Sequence, residues 1–252
     1  MSSFNSHSST EFYRINASYI HFLDQIEEVN SLLDYASKMN TENFRIIWSV
    51  ASRSAIIMSS GFLEKYLKES FMEFIEQINN MNLPTKYIDE KLLITNKRKT
   101  LQVLKLINEQ KLNSDYEKIV KIYASSFENC EYKPIFVKES FSITNSNPGK
   151  DTIRTMFIDI GIRNIFSRDT FNDLDYVGGV ETKLEEFIGL RNSFAHGGSG
   201  TTIPSISDAQ DQIEFLKKFV YALNKTLDDE ILNIELKFHR DYFKTLPNFY
   251  EI

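Results

Sequence analysis

Leu190-Arg191-Asn192-Ser193-Phe194-Ala195-His196-Gly197, continued by Gly198-Ser199-Gly200, decides how this chain is read. Leu184, Phe187, Ile188 and Phe194 recur at helical spacing from about residue 180, and the glycines after His196 end that helix. Arg191 and His196 therefore stand toward a helix C-terminus, where carbonyls lack intrahelical partners and the dipole is negative. That field favours an imidazolium at position 196 and keeps the histidine able to exchange a proton near neutral pH. Arg and His five positions apart start about 140° from each other around a straight helix, since each residue turns about 100°. They converge only if the helix stops at His196 and the long arginine side chain reaches around its flank.

A histidine that exchanges protons beside an arginine that grips phosphate is a suitable pair for cutting RNA. The histidine can take the 2′-hydroxyl proton or protonate the leaving 5′-oxygen. The arginine fork can bind the phosphate oxygens and stabilise charge as the phosphorane forms. With the nucleophile inside the substrate, this chemistry needs no metal. Arginine and histidine in a last turn also serve as plain carbonyl caps, so spacing alone does not assign the chemistry.

Outward from this stretch, helical periodicity dominates. Phe12, Ile15, Tyr19, Phe22, Ile26, Val29 and Leu33 recur in steps of three and four, a stripe that suits an internal core or a helix of another subunit. A long helix is expected from about 42 to 79, with one apolar line through Trp48, Ala51, Ala55 and Phe62 and a second through Leu67, Phe71 and Ile78. Gly61 inside it points to a close helix approach or a kink. Two shorter helices are expected between 87 and 127, split near Asn113-Ser114-Asp115, and another from about 151 to 160, ended by Gly161. Between 133 and 144 apolar and polar residues alternate, which predicts a short strand pair or an extended crossing segment. A last helix is expected from about 208 to 232, opened by the capping box Ser207-Asp208-Ala209-Gln210.

Bulk composition narrows the function classes. With 42% hydrophobic and 25% charged residues, this is an ordinary globular chain, and 9 Gly and 5 Pro leave little for a turn-rich sheet sandwich. The single Cys130 excludes an internal disulfide and a cysteine-built metal site, which fits a reducing cytoplasm. No uninterrupted apolar run approaches the roughly 20 residues that span a bilayer, so no membrane partner is expected. The polar start, residues 1–10, reads as a flexible lead and lacks a signal peptide's apolar centre. A net charge of −6 argues against a generic nucleic-acid coat protein. An enzyme needs only a local basic patch, and one lies between Lys86 and Lys121, including Lys91, Lys97, Arg98, Lys99 and Lys105. Its plainer reading is a solvated helical face. His7, His21 and His239 are scattered with no ligand spacing, so no metal and no cofactor is expected. Neither a P-loop, a dinucleotide fingerprint nor a nucleophile elbow occurs. The aromatics near the C-terminus, Phe238, Tyr242, Phe243, Phe249 and Tyr250, suit core packing or a dimer contact better than base stacking.

The string around Arg191 resembles the HEPN superfamily, whose motif is written Arg-Asn-x-x-Ala-His-Gly; Arg191, Asn192, Ala195, His196 and Gly197 all match. The segments Ala51-Ser52-Arg53-Ser54-Ala55 and Gly61 to Lys68 look like the long helix that packs on the family's motif helix. The likeness is greatest to families of the RiboL-PSP type and extends over about residues 40–232. It implies an all-α, up-and-down helical bundle as a single domain over 1–252. It also implies a homodimer in which two motifs meet at a composite site. In activity it implies a metal-independent endoribonuclease of toxin–antitoxin, abortive-infection or antiviral systems, leaving a 2′,3′-cyclic phosphate. Arg191 and His196 would be catalytic, with Asn192 shaping the site and Glu64 supporting it. The expected partners are an RNA substrate, a second copy and an antitoxin or other defence protein. The competing reading is a non-catalytic helical module that binds a nucleotide, an RNA or a protein.

Overall fold

The computed structural model describes residues 17–39, 44–109, 114–125, 134–141, 148–172, 174, 176, 178–195 and 203–245. Among them are seven α-helices and no strand: α1 (Ala17–Ser37), α2 (Phe44–Met81), α3 (Glu90–Glu109), α4 (Ser114–Ser125), α5 (Lys150–Asp159), α6 (Gly179–Ala195) and α7 (Ile206–Thr245). The chain is all-α, as its periodicity predicts.

Three long helices make the frame. In α1 the stripe Phe22, Ile26, Val29 and Leu33 is fully buried against this chain's own core, so that face meets no second subunit. Phe12 and Ile15, the beginning of the expected stripe, lie outside the described residues. Two hydrogen-bonded links set α1 antiparallel to α2. Trp48 Nε1 donates to the Ala36 carbonyl at one end (2.8 Å). At the other end, the Glu73 carboxylate accepts from the Ser18 backbone N–H (2.8 Å) and hydroxyl (3.1 Å). Glu73 thereby satisfies a first-turn donor that has no partner within its own helix. α7 runs parallel to α2, with Tyr66 Oη donating to Asn224 Oδ1 at 3.3 Å. It is antiparallel to α1, where Gln210 Nε2 donates to Asp34 Oδ1 at 3.0 Å.

α2 lies at the centre of this frame, which explains its two overlapping stripes. Ala51, Ala55 and Ile56 are buried in its first half, and Leu63, Leu67, Phe71, Phe74 and Ile78 in its second. An 18-residue window of α2 reaches a mean hydropathy of 1.4, long and apolar enough by length and composition to cross a bilayer; 39% of that window is buried, against α1, α6 and α7. Gly61 does not mark the close helix approach that was one of its two expected roles. It is exposed, and a Cβ there would meet nothing within 4 Å, so no helix makes a close approach at this position.

Residues 134–141 take the second of the two expected forms. They are an extended crossing stretch that ends in a 3-10 turn, Lys138–Phe141, rather than a strand pair; residues 133 and 142–144 lie outside the described ones. Phe136 and Val137 are both buried while Ile135 is 49% exposed, so the apparent alternation is not a two-sided strand. Asparagine side chains take the place of a neighbouring strand. Asn79 accepts from the Phe136 N–H (2.8 Å) and donates to its carbonyl (3.0 Å), and Asn96 accepts from the Val137 N–H (3.1 Å). Backbone groups that a ladder would satisfy are satisfied from α2 and α3. Val137 also joins Val103 and Ile119 in a small separate core that holds α4 to α3.

The ends of α5 and α7 show how local chemistry sets boundaries. Gly161, with φ +93°, follows α5 in a Schellman arrangement: the Ile162 N–H donates to the Phe157 carbonyl (2.9 Å) and the Gly161 N–H to Ile158 (3.0 Å). α7 begins two residues before the expected start and continues to Thr245, past the expected end near 232. Its capping box is Ser205 with Asp208: the Asp208 N–H donates to Ser205 Oγ (3.1 Å) while Asp208 Oδ2 accepts from the Ser205 N–H (3.0 Å). Ser207 is therefore not the cap, because Ile206 and Ala209 are already turned into the core. Far along α7, Phe238 packs edge-on against Tyr87 (5.2 Å between centroids), an intramolecular contact. Phe249 and Tyr250 lie outside the described residues.

Candidate functional site

α6 carries the motif. Val180, Leu184 and Phe187 form its buried line, in steps of four and three, and Arg191 is the next position on that line. Phe194 follows it and packs half-buried against the main core. An arginine thus occupies a position that helical periodicity assigns to a hydrophobe. It is half-buried at the point where the apolar stripe gives way to the polar end of the helix. A guanidinium there is presented on a fixed helical face while its planar donors remain available.

Arg191 Nη1 donates to Asn192 Oδ1 at 3.1 Å. Adjacent helical residues do not ordinarily face each other, so this bond draws the arginine side chain around the helix toward its neighbour. Asn192 is itself half-buried. Ser193 Oγ donates to the Gly189 carbonyl (3.0 Å), a back-bond within α6. α6 ends at Ala195, the residue before His196, and His196 and Gly197 lie outside the described residues.

Two ion pairs fix α6 against α5 from the other end. Lys150 pairs with Glu185, and Arg154 Nη2 with Glu181 Oε2 at 2.5 Å. Both pairs remain substantially solvent-accessible, so they position the helix more than they stabilise it. The apolar side of α6 does the anchoring, with Leu184 and Phe187 fully buried in the core shared with α2.

Glu64 is in the middle of α2, about one-third exposed, and its carboxylate takes Lys68 Nζ at 2.6 Å one turn on. The structure thus brings Arg191 and Asn192 together and shows Glu64 paired with Lys68.

The basic stretch between Lys86 and Lys121 divides by role. Lys99 Nζ (2.9 Å) and Arg98 Nη2 (3.1 Å) both reach the Asp159 carboxylate, which is 5% exposed and also accepts from Thr95 (3.4 Å). Lys99, its side chain 12% exposed, thereby ties α3 to α5 through Asp159. Lys86 stacks on the Tyr87 ring at 4.9 Å, and Lys111 lies outside the described residues. His21 stands between Glu69 (3.5 Å) and Lys65 (3.3 Å) on the α1–α2 flank, a surface linkage.

Hollows among the described residues lie elsewhere, including one of about 290 Å³ beside His21, Glu69 and Glu73. One of about 440 Å³ is bounded by Arg168, Asp169, Thr226 and Asp229, and one of about 130 Å³ by Arg154, Phe166 and Glu181. None of these is lined by a motif residue. The signal that reading by residue type overlooks is positional: Arg191 interrupts a buried line, which marks it before any motif is considered.

A family profile described as RiboL-PSP-HEPN matches residues 20–229, from within α1 to within α7 and across the whole Arg191 string. No curated protein and no solved structure matches the chain. With most of its length under that match and an all-α architecture, the chain belongs to the RiboL-PSP HEPN family.

Proposed function

We propose that this protein is a metal-independent endoribonuclease with Arg191 and His196 as its catalytic pair. The observation that carries the reading is the placement of Arg191. It continues the buried line of α6, is held by Asn192 at 3.1 Å, and precedes a helix end one residue before His196. Asn192 and His196 are four positions apart in sequence, the interval of neighbours on a helix. Membership of a family of nuclease and RNA-related modules supports the same reading.

In this mechanism the substrate supplies the nucleophile. The 2′-oxygen loses its proton to a histidine and attacks the adjacent phosphorus, and the bond to the 5′-oxygen breaks as that oxygen takes up a proton. The products are a 2′,3′-cyclic phosphate and a free 5′-hydroxyl. The Arg191 guanidinium binds the non-bridging oxygens and stabilises the charge that builds on them. Asn192 keeps the guanidinium from collapsing onto the helix, and Glu64 supports the site from α2.

One motif supplies one histidine, while cleavage calls for both an acid and a base. A homodimer that brings two motifs together provides both. α2 offers a surface for it: Ile46 (64%), Val50 (57%), Ile57 (40%) and Met58 (38%) are exposed on the helix against which α6 packs. A toxin or antiviral effector of the cytoplasm, restrained by an antitoxin or other defence protein, is the biological role this chemistry fits.

The test is incubation of purified protein with total RNA in EDTA, beside Arg191→Ala and His196→Ala. Metal-free cleavage to cyclic phosphate ends, lost in both variants, is the expected result. Cleavage that survives both substitutions, or that requires added metal, would sink the mechanism. RNA that is bound but left intact by the wild type would favour a non-catalytic module.

A further inference from the structure

The outward face of α3 has a pattern that neither the core nor the motif uses. Leu92, Asn96, Thr100 and Val103 point inward and are buried. On the opposite side stand Lys91, Ile94, Arg98, Leu101 and Lys105, in steps of three, four, three and four. Such spacing places all five along one seam of a helix. Ile94 is 52% and Leu101 44% exposed, and the Lys91 and Lys105 side chains are exposed as well. The Arg98 side chain is 59% exposed although it touches Asp159. Asp159 is shared with Lys99, so one carboxylate faces two cations and the cluster keeps a net positive charge. The seam thus has cations at the a positions of a heptad and aliphatics at the d positions. It carries no acidic residue between Lys91 and Lys105.

We infer that this face of α3 docks an acidic amphipathic helix of another polypeptide, one with carboxylates and aliphatics alternating in steps of three and four. Charge complementarity selects that occupant. A second copy paired through the same face would set cations against cations across the seam. A nucleic-acid backbone would satisfy the cations but leave Ile94 and Leu101 unburied, because phosphates give aliphatic side chains nothing to pack on. A helix with acids opposite Lys91, Arg98 and Lys105 and leucines opposite Ile94 and Leu101 satisfies both. Cations at a positions also reject an uncharged apolar helix, which fixes partner choice and register. None of these seam residues belongs to the Arg191 motif, so failure of the docking leaves the nuclease reading untouched.

The probe is a fluorescent three-heptad peptide with Glu at each a position and Leu at each d, compared with a Lys-for-Glu twin and with a labelled single-stranded RNA. Full-length protein should bind the Glu peptide at least about tenfold more tightly than the Lys peptide. The double variant K91E/K105E should reverse that preference, a gain that a misfolded protein could not show. I94S/L101S should weaken the Glu peptide by about tenfold while leaving the RNA unaffected. No preference between the peptides, or Glu-peptide binding that survives I94S/L101S, overturns the inference. RNA binding that is lost in K91E/K105E and kept in I94S/L101S overturns it in favour of a phosphate track.

Discussion

The Arg191 guanidinium is bonded to the side chain of the very next residue, Asn192, with Nη1 to Oδ1 at 3.1 Å. Loss of the asparagine should leave the arginine present but no longer aimed. Asn192→Ala is expected to lower kcat/KM for RNA cleavage by about tenfold, against about a hundredfold or more for Arg191→Ala. Thermal stability should hardly change in either, since both side chains are only half-buried. Equal losses in the two variants would mean that Asn192 does more than hold Arg191.

Asn79 substitutes for a strand by bonding both backbone groups of Phe136. Asn79→Ala removes both bonds and should destabilise the protein by about 2 kcal/mol. Asn79→Asp keeps the acceptor for the Phe136 N–H but sets a carboxylate oxygen against the Phe136 carbonyl, so at neutral pH it should cost at least as much as Asn79→Ala. Denaturant unfolding gives the magnitudes, and hydrogen exchange at the Phe136 and Val137 amides should rise in Asn79→Ala before other core amides respond.

Gly161 has φ +93°, and a Cβ on it would lie 2.6 Å from Asp89 Cγ. Asp89 is not free to yield, because its Oδ1 accepts from the Lys91 N–H (2.7 Å) at the start of α3. Gly161→Ala should therefore cost about 2 kcal/mol through backbone strain and a displaced cap together. If Asp89→Gly, which removes both the Cγ and the Cβ at 2.8 Å, restores none of that loss in the double variant relative to Asp89→Gly alone, the steric part of the argument fails.

Burial pushes the Glu73 carboxyl above its usual value of 4.5; the bonds from Ser18 oppose the shift, and Glu69 and Glu76 add to it. A raised folded pKa stabilises the protein below the unfolded value, and that contribution is lost as pH rises through the folded one. Glu73→Gln keeps an acceptor for Ser18 and carries no charge. Its melting temperature relative to wild type should be highest near neutral pH and fall as pH drops toward 4.5. An advantage that grows on acidification would contradict this sign.

Some features of this protein were legible from the chain alone. Periodicity in steps of three and four is a local property, so the helices and the buried stripe of α1 could be read from spacing. The Schellman end at Gly161 is equally local, needing only a residue that tolerates positive φ. The Arg191-Asn192-x-x-Ala195-His196-Gly197 string pointed to its family by residue identity. Other features depended on contacts far apart in sequence. The stretch at 134–141 alternates like a strand, and only the arrival of Asn79 and Asn96 from distant helices removed the need for a ladder. Ser207 and Ser205 are equally good caps in isolation, and the burial of Ile206 and Ala209 chose between them. Lys99 and Lys105 look alike in a basic run, yet Asp159 draws the first inward and leaves the second exposed. Spacing determines which residues share a helical face. Which face turns to the core, and which stays open to a partner, is decided only when helices from other parts of the chain compete to cover it.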